Sequence, residues 1–437
     1  MTWRDLLLSA SLSLVAAAAC NNTQNGDPNT SNPVAAPGAG ATARADSPPA
    51  VNVGAPVSPA PAGPAATPSA PSAPPASAAG GHSSPVLSAG AGAALADAGA
   101  APIDAAAPAD DTDAGPSPAD DAGVSEPAAP APCPTQAYVS NSGADSVSVI
   151  DTLTNQVVAT VATDTAPVNP TFAPDHRHVY VSNSQADTLT VIDVVTHEAT
   201  TLAAGGKSPS GLAFTPDGKK LAVTLLGETV TTPGQLALIT LATHEVAPLI
   251  PLGAQPERIA ITPDGARAFI SNLGDGTMSV IDLAAGEVIT TLMLGDLPFN
   301  ALMAPDGRTL YVGVMFSNNI TLIDTATNQI TKTIAVDSPN GITFSLDYQS
   351  LYVSNAFAST VQEISLATGA VVRTLEVGGL PGYIALVPDG KSAYFVRPDG
   401  QTIEVLDTAT FTLGSPITVE LGPSVVVTCR DNPTVQP

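Results

Sequence analysis

Seven prolines recur at near-regular intervals, Pro167, Pro209, Pro256, Pro298, Pro339, Pro381 and Pro423, and the two residues after each vary freely. Those pairs are Val168-Asn169, Ser210-Gly211, Glu257-Arg258, Phe299-Asn300, Asn340-Gly341, Gly382-Tyr383 and Ser424-Val425. If the chain does chemistry, these are the positions to examine. Glu257 has the carboxylate needed for general acid or base work, with Arg258 and Arg397 available to hold an oxyanion. For a ligand that is only bound, the candidate contacts are Asn169, Glu257, Arg258, Asn300, Asn340, Tyr383 and Arg397. Arg258, Arg397 and Lys207 could also gather as an anion-receptive patch in so acidic a chain. The plainer alternative is that Glu257 and Arg258 pair with near neighbours on a rim, as surface ion pairs commonly do.

The elements that must position these residues are short. Tyr180 to Gly218 contains four apolar runs with period-2 alternation, separated by Asn, Asp, Gly and Pro clusters, which reads as a four-stranded meander. The same phrase starts at Tyr138, Tyr180, Ala222, Phe269, Tyr311, Tyr352 and Tyr394, at intervals of 42, 42, 47, 42, 41 and 42 residues. The second strand of each unit follows at fixed distance, as in SVSVID (146–151), TLTVID (188–193) and TMSVID (277–282). Pro-Asp-Gly turns such as GLAFTPDG (211–218) and RIAITPDG (258–265) supply the hairpin into the next unit. Four-stranded units of this period indicate propeller blades.

The YVSN (138–141, 180–183, 352–355), VID and PDG elements together resemble the YVTN-family β-propeller repeats, over roughly residues 137 to 429. The third unit departs furthest, with Ala222 for the aromatic and Thr240 for the Asp. The expectation is an all-β, seven-bladed propeller of four-stranded antiparallel blades. The folded region opens on a second-strand sequence at Tyr138 and ends on a first-strand sequence, Ser424 to Thr428. The last strand should therefore complete the first blade and leave no open sheet edge. Aligning Thr428 with Thr215 puts Cys429 at the Pro of one Pro-Asp-Gly turn and Cys133 at its Asp. These two thiols are thus expected to pair across the one hairpin the chain leaves uncovalent.

In that topology the loops before the innermost strands and after the YVSN strands share a face, the top, where the post-proline pairs converge. His176, His178, His197 and His244 fall in turns of the opposite face and His82 precedes the repeats, so no His-based site is expected at the top. The three cysteines, Cys20, Cys133 and Cys429, are too few and too scattered for zinc or iron–sulfur. There is no C-x-x-C-H haem motif. Asp145, Asp187 and Asp275 lie on separate units without calcium-loop spacing, so no metal and no cofactor is expected. The third unit carries five extra residues in its top loop (225–234), the kind of insertion where specificity is often placed.

Ahead of the repeats the composition changes. Residues 1–19 hold one Arg and an apolar run from Leu6 to Ala19 that is too short to span a bilayer, which reads as a cleaved export signal. Ala17-Ala18-Ala19-Cys20 resembles a bacterial lipobox, which implies a lipidated Cys20; Asn21 in place of Asp implies the outer membrane. The alternative is cleavage without lipidation, leaving a free thiol. Residues 20–132 are nearly all Ala, Pro, Gly, Ser and Asp and cannot bury enough surface to offset ordering. They read as a disordered tether spanning roughly 60 Å r.m.s.. The propeller is assigned to 133–431 and a tail to 432–437.

With 14 Lys and Arg against 39 Asp and Glu, the formal net charge is −25. Nucleic acid and anionic membrane surfaces are poor partners for such a chain, and membrane attachment is expected through the lipid alone. The function expected first is a monomeric, surface-tethered binding, adhesion or scaffold module that recognises a protein or glycan at the top face. The alternative is a periplasmic enzyme like the lactonases and lyases that share the fold, with Glu257 as acid or base and Arg258 and Arg397 as anion holders. The resemblance extends equally to electron-transfer propellers, but a haem or quinone role is disfavoured because Trp3 is the sole Trp and the haem motif is missing.

Overall fold

The computed structural model describes residues 131–431. The expected signal peptide, Cys20, all but the last two residues of the tether, and the tail lie outside the described residues. The strands form seven antiparallel sheets. The first blade runs Gln136–Asn141, Ser146–Asp151 and Gln156–Ala162, and its inner edge is the last strand of the chain, Pro423–Thr428. That strand pairs in register, with Ala137 opposite Thr428 and Tyr138 opposite Val427. The other innermost strands are Pro167–Phe172, Pro209–Phe214, Pro256–Ile261, Pro298–Met303, Pro339–Phe344 and Ile384–Leu386. Each touches the next around the ring, the last touching Pro423–Thr428. The expected closure is present.

The core is divided among the blade interfaces. Seven apolar clusters each join two adjacent blades, as where Val147 and Val149 of the first meet Phe172 and Val181 of the second. One such cluster joins the last blade to the first, packing Tyr394, Val396 and Ile403 on Val139, Ile150 and Val426. The motif tyrosine lies at this seam. Tyr138 meets Phe172 edge-to-face at 5.3 Å, Tyr180 meets Phe214 at 5.0 Å and Tyr311 meets Phe344 at 5.5 Å, a geometry the ring quadrupoles favour. The outermost strands, such as Glu287–Met293, are largely exposed.

The remaining motif letters also have structural roles. Each YVSN Asn is fully buried and hooks the second strand: Asn141 donates to Ser148, Asn183 to Thr190 and Asn272 to Ser279, all at 2.9 Å. In the seventh blade that position is Arg397, and the residue seven further on is Glu404. Their side chains form an ion pair, Nε to Oε1 at 3.3 Å, with 16% and 13% of their surfaces exposed. Arg397 also donates to the carbonyls of Val377 and Gly378. The last blade thus replaces the amide hook with a charged one. The VID Asp residues close the outer turns. Asp151, Asp193, Asp324 and Asp407 accept from the backbone N–H three residues on, and from the Thr hydroxyl there.

Cys133 and Cys429 form the expected disulfide, with Cα atoms 5.7 Å apart at a sequence separation of 296. A link over so long a loop constrains the unfolded chain by about 5 kcal/mol in the entropic account. The Cys133→Ser/Cys429→Ser double variant should accordingly lose about 2–5 kcal/mol in urea unfolding, with the native spectrum retained; unchanged stability would show that the strand pairing alone closes the ring.

Arg397→Asn leaves Glu404 without its cation and should cost about 3 kcal/mol. Arg397→Asn with Glu404→Ser rebuilds the hook of the other blades and should recover most of that loss. A double variant no better than the single one would refute the equivalence.

The turn carboxylates respond to acid. Hydrogen bonds from Thr154, Thr196, Thr327 and Thr410 hold Asp151, Asp193, Asp324 and Asp407 below the usual carboxylate range. A carboxylate whose value is lowered on folding adds stability above its unfolded value near 3.9 and loses it as pH falls through the folded value. The melting temperature should therefore drop below about pH 4, and Asp324→Asn, which keeps the turn but cannot titrate, should reduce that drop.

Candidate functional site

The post-proline pairs face the channel because of a repeated local irregularity. The innermost strands slip register against their neighbours between Val168 and Thr171, Pro209 and Leu212, Pro256 and Ile259, Pro298 and Asn300, and Pro339 and Gly341. A bulge of this kind re-aims side chains that an even pleat would alternate. At Pro256 it lets two consecutive residues, Glu257 and Arg258, both reach the channel.

The loop ahead of each proline is held in a costly conformation. Ala166, Ser208, Gln255, Leu297 and Ser338 all have φ between 46° and 62°, in the left-handed region L-residues avoid. Two hydrogen bonds stabilise it. The residue after each YVSN-type strand donates to the carbonyl of the pre-proline residue, as Ser184 does to Ala166 and Met315 to Leu297. A side-chain oxygen of the neighbouring loop accepts from the loop backbone: Asp145 from Ala166, Asp187 from Ser208, Asn318 from Ser338, each at 2.9 Å, and Asp275 from Ala254 at 2.6 Å. This is the work of Asp145, Asp187 and Asp275, and it fixes the top face assigned from sequence.

Two chambers follow one another along the channel. The mouth, of about 210 Å³, is lined by Asn169, Glu257, Asn340 and Tyr383, with Ser142 and Ser424. Most of its wall is apolar: Leu297, Phe299, Met315, Phe357, Leu380 and Val425. Beneath it a chamber of about 130 Å³ is enclosed by the innermost strands and contains Arg258, Asn300 and again Tyr383.

Glu257 is held by neutral donors from two other blades. Ser210 donates its hydroxyl at 2.8 Å and Asn169 its amide at 3.4 Å. Asn169 also donates to Ser210 Oγ at 3.3 Å, and its own Oδ1 is buried without a donor. The Asn340 Oδ1 is likewise buried and unpaired. Gly211 is required beside them, because a Cβ there would overlap the carbonyl oxygen of Glu257.

Arg258 does not pair with Glu257 or any other described carboxylate. Its guanidinium carbon lies 3.9 Å from the centroid of the Tyr383 ring, its Nε donates to the Tyr383 hydroxyl, and its Nη2 is buried without a partner. Burial pushes the Tyr383 hydroxyl well above its ordinary value, with Arg258 pulling the other way. Phe299 packs against Tyr383, ring centroids 5.6 Å apart.

Six of the seven candidate contacts therefore line one channel. Arg397 does not: it is committed to Glu404 within the seventh blade, and the suggested grouping of Arg258, Arg397 and Lys207 is not formed. The third-unit loop reaches the site indirectly. The inserted segment spans 226–232, between strands ending at Leu225 and starting at Pro233, and Val230 packs on Leu273, Leu297 and Met315 behind the mouth wall. The described histidines stay with the turns of the other face, as in His178 with Asp175 at 2.8 Å.

A family described as YNCE-like beta-propeller matches residues 114–229. No curated protein matches the chain. Among solved structures, Kuenenia stuttgartiensis hydrazine synthase is similar at 21% identity and TM-score 0.56, over 63% of this chain and 93% of that one. The periplasmic gluconolactonase PpgL of Pseudomonas aeruginosa is similar at 19% identity and TM-score 0.57, over 67% and 98%. The dihydro-heme d1 dehydrogenase NirN gives 16% and 0.52, over 68% and 76%. At these identities the likeness is one of fold, and with the seven closed blades it makes the chain a β-propeller repeat protein.

Proposed function

We propose that this is an exported binding propeller that takes a ligand into the mouth of its channel and holds it without chemical change. The observation that carries this is the mouth itself: an apolar-walled cavity lined by one carboxylate and by two asparagines, each with a buried, unpaired amide oxygen. A concave, mostly apolar site with a few converging polar groups suits a ligand with an apolar body and a polar end. Both Glu257 oxygens already accept from fixed neutral groups, an arrangement suited to holding a ligand.

Export and anchoring belong to the same proposal. The Cys133–Cys429 disulfide suits an oxidising compartment. It leaves Cys20, behind its lipobox-like sequence, as the odd cysteine, which favours an outer-membrane lipid anchor with residues 21–132 as tether. A protein or glycan presenting an apolar group remains the partner proposed for the top face. The enzymatic alternative draws on one feature, the delivery of Glu257 and Arg258 to one channel by a single bulge, and on a fold shared with a gluconolactonase.

A neutral one-ring probe such as benzyl alcohol should bind the full chain saturably at one site in titration calorimetry. Phe357 and Leu380 are about half exposed, so Phe357→Ser and Leu380→Ser should keep the fold while each weakens binding about tenfold. Unchanged affinity in both would remove the mouth as the site. Hydrolysis of lactones or phosphoesters that Glu257→Gln abolishes would establish the enzymatic reading instead.

A further inference from the structure

Resting on the mouth as the binding site, we infer that its ligand carries a protonated amine: a small organic ammonium with an apolar body of about one ring. The polar groups in the mouth point to this chemistry. Asn169 is 1% exposed and spends its amide N–H groups on Ser210 and Glu257, so the atom it has left is an acceptor. Asn340 also leaves an acceptor unpaired. An ionised carboxylate has roughly four lone-pair sites, and Glu257 uses two of them on neutral donors. Its negative charge is therefore solvated but not compensated.

The contrast with two other largely buried glutamates is internal to the chain. Glu363 is paired with Arg373 at 2.5 Å and Glu404 with Arg397 at 3.3 Å. Among the described residues no cation lies within ion-pair distance of Glu257, and the adjacent Arg258 is turned into the lower chamber under Tyr383. An anionic ligand in the mouth would meet a carboxylate and amide oxygens. An ammonium would donate to the remaining lone pairs of Glu257 and to the two amide oxygens, beside Phe299 and Phe357, aromatic residues of the kind that attracts cations. The acidic chain as a whole favours the approach of cations. A cavity of about 210 Å³ is below the range of roughly 300–1,000 Å³ typical of drug-sized ligands, which limits the body to something small.

Titration calorimetry of the full chain with three matched probes tests this: 2-phenylethylammonium, 2-phenylethanol and phenylacetate. The ammonium should bind about tenfold or more tighter than the alcohol, as expected of a charge-assisted hydrogen bond, and phenylacetate should bind weakest. Glu257→Gln should abolish the preference for the ammonium, whereas Phe357→Ser should weaken all three probes together. Tightest binding of phenylacetate would keep the mouth as a site but overturn the ammonium. Binding of none of the three would overturn both. A preference that survives Glu257→Gln would overturn the role of the carboxylate. Tighter binding of Nα-acetyl-lysinamide than of 2-phenylethylammonium would transfer the site to lysine side chains and overturn the assignment to a small free ligand with a ring.

Discussion

Everything in this molecule depends on the pairing of Pro423–Thr428 with Gln136–Asn141. Without it the first blade would expose the edge of Gln136–Asn141, and the seventh would lose the interface in which Val425 and Val426 pack on its inner face. A ring of repeats has no central core of its own; its apolar contacts lie between neighbours, so each blade is stabilised on both flanks only when the ring is complete. Pairing residues from opposite ends of the domain pays the largest loop-closure entropy in the fold. The disulfide lies beside this pairing and lowers that cost by restricting the unfolded chain.

Closure also explains where the site can be. In most of the ring the side chains follow the repeat: tyrosine at the seam, amide hook on the second strand, aspartate in the outer turn. The top end of the innermost strands is different. The pre-proline residues are held at positive φ, and the bulges beyond them release two side chains per blade from the alternation of the sheet. Strain of this kind persists only where surrounding bonds over-determine it, and the loop hydrogen bonds at Asp145, Asp187, Asp275 and Asn318 supply that. The repeat thus builds the same frame in six of the seven blades, the one opened by Pro381 being the exception, while leaving the contents of the mouth free to vary.

Much of this could be read from sequence, and for definite reasons. Period, closure and disulfide were legible because they depend on register, and register is preserved by spacing. The convergence of Asn169, Glu257, Asn340 and Tyr383 followed from their common place after a proline. Arg397 reads from sequence as an anion holder because cations are scarce in so acidic a chain. The correct reading was also available, since Glu404 lies seven residues on, as Ser148 does from Asn141. The apolar wall was not legible: Leu297, Met315, Phe357 and Leu380 sit in loops with no periodicity, and only Leu297 and Leu380 have an adjoining proline to hint at a shared cavity.

The contrast between the two arginines shows how one scaffold separates stability from recognition. Arg397 stands where the repeat demands a hook, and its charge is met by a carboxylate at the repeat's own spacing. Arg258 stands where the bulge suspends that demand, and it meets an aromatic ring instead. Desolvating a charge is expensive unless hydrogen bonds and opposite charge make up for it. A chain that leaves Glu257 and Arg258 without an ionic partner, one in each chamber, carries that cost at a bulge of an innermost strand, where the repeat does not dictate the side chains. Such a cost is tolerable in a closed ring because the blade interfaces, not the channel, hold the fold together.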